Sequence, residues 1–247
     1  MKKFMFAQCY EACRGKKNPL LTNLFSGKFF GTALVLLVMF LVIGNSIAFA
    51  YTAWEDDRFD SLNTGSLSGQ NNWAGTISAS IVGDPGNQCI GSMFRSKVLY
   101  IDPGTGQTIM NSKSITSQSV GNHYIEFFVR VDDATEPSVA KLEVYSTGNT
   151  WGKKFQIYFG STIRINYDQD SSKKIILVSA TETGRWYWIR VEITSSLTLF
   201  NVYVDGELKN SVGGITMPSG PITGLGITGW DRAGTVYLDN LYGIRYN

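Results

Sequence analysis

The chain has 247 residues and a formal net charge of +2, but that charge is unevenly spread. Six of its 22 basic residues (Lys2, Lys3, Arg14, Lys16, Lys17 and Lys28) and one of its 20 acids, Glu11, lie in the first 50 residues, so the 197 residues from Tyr51 onward carry 16 bases against 19 acids, a net charge of −3. The basic balance thus belongs to the N-terminal segment and gives no support for nucleic-acid binding. Of the three cysteines only Cys89 lies beyond residue 50, which excludes an internal disulfide there. The domain must be held by its core, and its length suffices to build one.

The N-terminal segment reads as an export signal. A basic start is followed by an uncharged apolar run from Phe29 to Ile43, then Gly44-Asn45-Ser46-Ile47 and the small-x-small ending Ala48-Phe49-Ala50. That order predicts a secretory signal cleaved after Ala50. Phe29 to Ala50 is also close to the roughly 20 apolar residues that span a bilayer, so the alternative is an uncleaved signal anchor with its N-terminus inside. Either reading places the domain from Tyr51 outside the cytoplasm, secreted or on the cell surface. The membrane is touched only through this segment, if it stays uncleaved. Cys9 and Cys13 read as chance cysteines of the leader, the alternative being a metal or lipid site.

Beyond residue 50 no helix-period segment exceeds about two turns. Period-two alternation recurs instead, broken by Gly, Asn, Asp and Ser. Strands are predicted at Trp73–Ile81 and Gly91–Ile101, then at His123–Val131, where Ile125, Phe127, Val129 and Val131 share one face and Tyr124, Glu126, Phe128 and Arg130 the other. Further strands follow at Val139–Tyr145, Lys154–Phe159, Thr162–Tyr167, Lys173–Ser179, Arg185–Ile193, Leu199–Val204, Glu207–Asn210, Ile222–Thr228 and Thr235–Tyr246. Gly160-Ser161 and Asp205-Gly206 read as two-residue hairpin turns. About a dozen short strands with turns between them predict one sandwich or jelly-roll domain.

Three segments carry a family resemblance. DDRFDSLNTGSLSGQNNW (Asp56 to Trp73), GRWYWIRVEI with FNVYVDGE (Gly184 to Glu207) and VYLDNLYG (Val236 to Gly243) resemble the opening, central and closing motifs of the concanavalin A-like lectin/glucanase superfamily, within it the laminin-G-like domains of microbial surface proteins. The resemblance implies an all-β, two-sheet antiparallel jelly-roll sandwich over 51–247, one sheet curved, after an apolar signal or anchor helix within 1–50. It also implies glycan binding on the concave face or at the loop edge, although a fold does not fix a function.

Catalytic signatures of that superfamily are missing. No Glu-x-Asp-x-x-Glu strand occurs, as laminarinase-type hydrolases would have. In Phe155-Gln156-Ile157-Tyr158 a tyrosine stands where jelly-roll lyases carry histidine. The single histidine, His123, reads as a surface-turn residue. If the strand of Phe127 paired with that of Glu143 as a hairpin, Glu126 and Glu143 would face each other as an acid/nucleophile pair; the alternative is a solvated face balanced by Arg130 and Lys141.

The candidate glycan contacts are Tyr124, Gln156, Tyr158, Arg164, Trp186, Trp188 and Arg190, with Asn166 beside them. Rings stack on sugar C–H faces, while amides and arginines read hydroxyls; the alternative for Trp186 and Trp188 is core. Trp73, Trp151 and Trp230 lie in Gly/Asn-rich loops, as contacts or, for Trp73 and Trp230, as lids over the core. Asp57, Asp60 and Asp239, with Asp56 and Asn240 near them, form a candidate structural calcium site. The sequence therefore points to a non-catalytic glycan-binding or adhesive module. A polysaccharide-degrading enzyme and a structural protein-binding surface domain are the alternatives.

Overall fold

The alternating apolar residues of each strand form the two inner faces of a sandwich. The computed structural model describes residues 51–83, 97–102, 104, 106–118, 121–148, 152–167, 173–210 and 214–246. Its strands are β1 (Tyr51–Asp57), β2 (Gly65–Ser66), β3 (Ala74–Gly75), β4 (Ser80–Gly83), β5 (Lys97–Ile101), β6 (Thr108–Gln118), β7 (Asn122–Asp132), β8 (Ala140–Ser146), β9 (Lys153–Phe159), β10 (Ile163–Asn166), β11 (Lys174–Val178), β12 (Trp186–Ile193), β13 (Leu199–Val204), β14 (Glu207–Leu208), β15 (Ile215–Thr216), β16 (Ile222–Trp230) and β17 (Thr235–Tyr246). The proposed signal or anchor helix lies outside the described residues.

All pairings are antiparallel. A ten-stranded sheet runs β14-β13-β12-β7-β17-β5-β4-β2, with β1 also on β17 and β15 on β13; a seven-stranded sheet runs β11-β10-β9-β8-β16-β6-β3. The long β17 serves two partners on one edge. Its first half pairs with β5 through Val236, Tyr237 and Leu238, and its second half with β1 from Leu241 to Tyr246. A register shift between Asp239 and Tyr242 separates them against β7, and Asn240 there has φ 50°.

Rings from both sheets meet in the core. Phe127 of β7 packs edge-on to Phe159 of β9 at 5.9 Å, and Phe155 of β9 stacks on Phe200 of β13 at 6.3 Å. Such pairs add about 1 kcal/mol each beyond their burial. Asp205-Gly206 forms the expected two-residue turn between Val204 and Glu207, with φ 55° and 85° at its two positions. The Asp205 carboxylate also accepts from the Trp188 backbone N–H at 2.9 Å, locking β12 to the turn.

Several expectations are corrected. β7 and β8 do not form a hairpin: β7 pairs with β12 and β17, whereas β8 pairs with β9 and β16 in the other sheet. Glu126 and Glu143 therefore lie on opposite outer faces and form no carboxylate pair. His123 is no surface residue; it is fully buried, edge-on to Trp54 at 6.3 Å. Phe159 pairs with Ile163, so Gly160-Ser161 belongs to a three-residue connection. The segment Trp73–Ile81 is not one strand but two, in different sheets. The buried Asn111 side chain takes the backbone between them, accepting from Ala79 N–H at 2.9 Å and donating to Ala74 C=O at 3.4 Å. Trp73 itself is 1% exposed, a core residue.

Four strands, β1, β6 and the two-residue β2 and β15, escape sequence reading. The core-facing positions of β6 include Asn111 and Lys113, which breaks its apolar pattern. Lys113 is buried because Glu55 of β1 pairs with it at 2.6 Å and the Trp73 ring lies 5.8 Å from its ammonium. Breaking such a buried pair strands a charge, while replacing both partners removes the problem. Glu55→Gln should lower the unfolding free energy by about 3–5 kcal/mol, and the double variant Glu55→Leu, Lys113→Met should recover most of it. Denaturant titration of the purified chain checks both.

Candidate functional site

Pairing register sets the outward-pointing side chains of the seven-stranded sheet into rows across its strands. One row runs Met110, Thr228, Lys141, Tyr158, Arg164 and Ile176 from β6 to β11. The next runs Ser112, Gly226, Glu143, Gln156, Asn166 and Lys174. At about 4.8 Å between strands, six strands give each row a span of roughly 24 Å.

Glu143 anchors the middle of this face. It is 5% exposed, so its charge needs compensation. Its Oε1 accepts from Gln156 Nε2 at 2.6 Å and pairs with Lys141 Nζ at 2.9 Å and Lys153 Nζ at 2.8 Å. Its Oε2 accepts from the Thr228 hydroxyl at 3.2 Å and the Tyr145 hydroxyl at 3.4 Å. Burial pushes the carboxyl upward, but hydrogen bonds from Lys153 and Lys141 and the Lys141 charge outweigh it and bring the pKa down to about 2. Glu143 is thus held ionised. Burial and the neighbouring Glu143 charge push the Tyr145 phenol up to about 12, so Tyr145 acts as a neutral hydrogen-bonding group.

Gly226 makes room for this. A Cβ there would stand 2.4 Å from the Tyr145 hydroxyl, so glycine lets the phenol lie across β16 and reach Glu143.

Beside the carboxylate lies an aromatic pair. Tyr158 of β9 and Trp230 at the end of β16 are near parallel, 9° between planes, with centroids 6.2 Å apart. Lys141, from the strand between, has its ammonium 5.9 Å and 5.6 Å from the two rings. The Arg164 guanidinium lies 4.5 Å from the Tyr158 ring. The Tyr158 hydroxyl donates to Gln156 Oε1 at 3.1 Å, tying the ring to the Glu143 network. Asn166 is 5% exposed, and its Oδ1 has no hydrogen-bond partner among the described residues. A buried acceptor left open is costly.

The seven expected contact residues divide between two surfaces. Gln156, Tyr158 and Arg164 come together on this face. Tyr124, Trp186, Trp188 and Arg190 lie on the outer face of the ten-stranded sheet, where Trp188 stands opposite Phe128 and Arg190 covers Tyr124 at 4.1 Å. Trp186 is 6% exposed, which leaves little ring for a ligand, and Trp188 is half-buried. Trp230 belongs to the first surface, while Trp151 lies outside the described residues. Thr228 and Lys153 escape the sequence reading because only the β8–β16 and β8–β9 registers bring them to Glu143; Tyr145, two residues along β8, is also not among the residues expected there.

For the calcium expectation, Asp60 Oδ1 accepts from Lys97 N–H at 2.9 Å and Asp239 Oδ1 from Asn240 N–H at 2.6 Å. The side chains of Asp56 and Asp57 are not among those described. No group of three or more His, Cys, Asp or Glu residues able to hold a metal ion occurs among the described residues.

No family model matches the chain, and no curated protein does. Solved structures do. A sialidase matches with a TM-score of 0.55 and 12% identity over 77% of this chain and 18% of that one, so this chain spans under a fifth of the sialidase. A carbohydrate esterase from the Shiga toxin-encoding bacteriophage phi24B matches with a TM-score of 0.52 and 12% identity, over 78% of this chain and 100% of that one. The cellulose-induced protein Cip1 matches with a TM-score of 0.51 and 16% identity, over 76% of this chain and 96% of that one. At these identities the likeness shows the fold, an all-β sandwich of two antiparallel sheets.

Glu143 predicts a pH dependence. Its folded pKa is depressed from 4.5 to about 2, so its stabilisation is complete above about pH 4.5 and is lost as pH falls toward 2. Linkage makes this about 3 kcal/mol. Glu143→Gln should flatten the fall in stability over that acid window, as measured by denaturant titration at successive pH values.

Proposed function

We propose that the domain is an exported, non-catalytic carbohydrate-binding module of the concanavalin A-like jelly-roll kind, with the outer face of its seven-stranded sheet as the glycan-contacting surface. The observation that carries this is the near-parallel Tyr158–Trp230 pair set beside fixed amides and cations. Aromatic faces stack on sugar C–H surfaces, and Gln156, Asn166 and Arg164 supply the polar groups that orient hydroxyls. Sialidase and carbohydrate esterase, among the proteins sharing its fold, are named for carbohydrate chemistry, which supports the same class of ligand.

The ionised state of Glu143 supports binding over hydrolysis. A carboxylate held down at about 2 has no proton to give near neutral pH, and a retaining mechanism needs a second carboxylate about 5 Å away. Glu126 sits on the other sheet. The export signal and the calcium site at Asp57, Asp60 and Asp239 remain part of this proposal on the strength of the sequence.

A glycan array with the full chain in a non-glycosidic detergent, run with calcium and with chelator, tests the reading. Retention without shortened products is expected, and Trp230→Ala and Tyr158→Ala should each weaken it by about tenfold, the effect of truncating an aromatic anchor. Product release would make the domain an enzyme. Loss of retention in Trp188→Ala, with Trp230→Ala unaffected, would move the site to the other sheet. A chelator-sensitive result would support the calcium ion.

A further inference from the structure

Charge is distributed unequally between the two outer faces. On the ten-stranded sheet the arginines are balanced by partners two residues along the same strand, Arg130 by Asp132 and Arg190 by Glu192. On the seven-stranded sheet the outward positions of β8 to β11 carry Lys141, Lys153, Arg164 and Lys174 against a single carboxylate, Glu143. That carboxylate is already shared by Lys141 and Lys153, so among the described residues the outward positions of these four strands carry an excess of three positive charges in a domain whose net charge from Tyr51 onward is −3. A local cationic surface on an acidic domain attracts anions that the rest of the surface repels.

The donors on this face are also available. Among the described residues Arg164 uses one of its five N–H donors, toward Pro137 C=O at 3.2 Å, while its Cζ lies 4.5 Å from the Tyr158 ring centroid. A guanidinium held against a ring with most of its donors open can grip a carboxylate or sulfate through two parallel hydrogen bonds. Lys174 is exposed at the end of the row that contains Glu143 and Asn166. Lys141 lies against both platform rings, so a sugar stacked on Tyr158 or Trp230 brings its substituents beside an ammonium.

Resting on the glycan-binding reading, we infer that the ligand class is an anionic polysaccharide, carboxylated or sulfated, lying across β8 to β11 with its acid groups on Arg164, Lys141 and Lys174. Neutral glycans gain the stacking but not the charge pairing.

The test compares matched polymers on the full chain by affinity electrophoresis or calorimetry: polygalacturonate against its methyl ester, and dextran sulfate against dextran. At low salt at least one anionic polymer should bind about tenfold or more tighter than its neutral counterpart, and the preference should collapse near 1 M salt, where the Debye length is about 3 Å. The pair that discriminates identifies the acid group. Arg164→Gln and Lys174→Gln should each erode the preference by about threefold or more, while Lys209→Gln, the same charge change on the edge of the other sheet, should leave it intact. Equal binding of neutral and anionic polymers overturns the inference and leaves the glycan-binding reading standing. No binding to any polymer removes both. An equal loss in Lys209→Gln, or tighter binding to a single-stranded oligonucleotide, overturns the inference by showing charge attraction without a glycan site.

Discussion

A strand offers alternate side chains to opposite sides, and this chain must bury one side of two sheets. That constraint fixes everything on the outer faces. Once Leu142, Val144, Phe155, Ile157, Ile163 and Ile165 are committed to the core, Lys141, Glu143, Gln156, Tyr158, Arg164 and Asn166 have no choice but to face outward. A slip of one residue in β8 would put Lys141 and Glu143 into the hydrocarbon interior. The outer face of the seven-stranded sheet is thus held in place by the apolar half of the same strands.

Glu143 illustrates how a residue's role follows from its register. Read along the chain, it has the look of an acid awaiting a partner. In the folded protein it is the organising ion of a network, saturated by Gln156, Thr228, Tyr145 and two lysines. It aligns its neighbours: Gln156 and, through it, Tyr158, with the ammonium of Lys141 held beside the two rings. An unbalanced carboxylate there would make the face locally acidic; one shared by two lysines does not.

Most of the strands were legible in the sequence because their inner positions are apolar and their turns carry Gly, Asn and Asp. The Asp205-Gly206 turn could be placed to the residue. β6 was invisible for a physical reason: Asn111 and Lys113 occupy inner positions, tolerable only because Ala79, Ala74 and Glu55, distant in sequence, satisfy them. The members of the site were half legible for the same kind of reason. Gln156, Tyr158 and Arg164 could be named as outward and polar, but outward on which sheet depends on pairings between strands far apart in the chain. Tyr124 and Trp188 have the same local pattern and lie on the opposite surface. Trp230 could be flagged as an aromatic near a loop, yet its stacking on Tyr158 crosses the whole width of β8.

The position of β17 has a further consequence, for the order of events during biogenesis. This strand lies in the interior of the larger sheet, between β7 on one side and β5 and β1 on the other, and β1 is the first strand of the domain. Neither β1 nor β5 can join β7 until residues 235–246 have arrived to separate and bridge them. The larger sheet therefore closes late, by contacts between the two ends of the domain, and such long-range closure is slow. The larger sheet thus stays open, with β7 lacking its neighbour on that side, for as long as the last strand is missing.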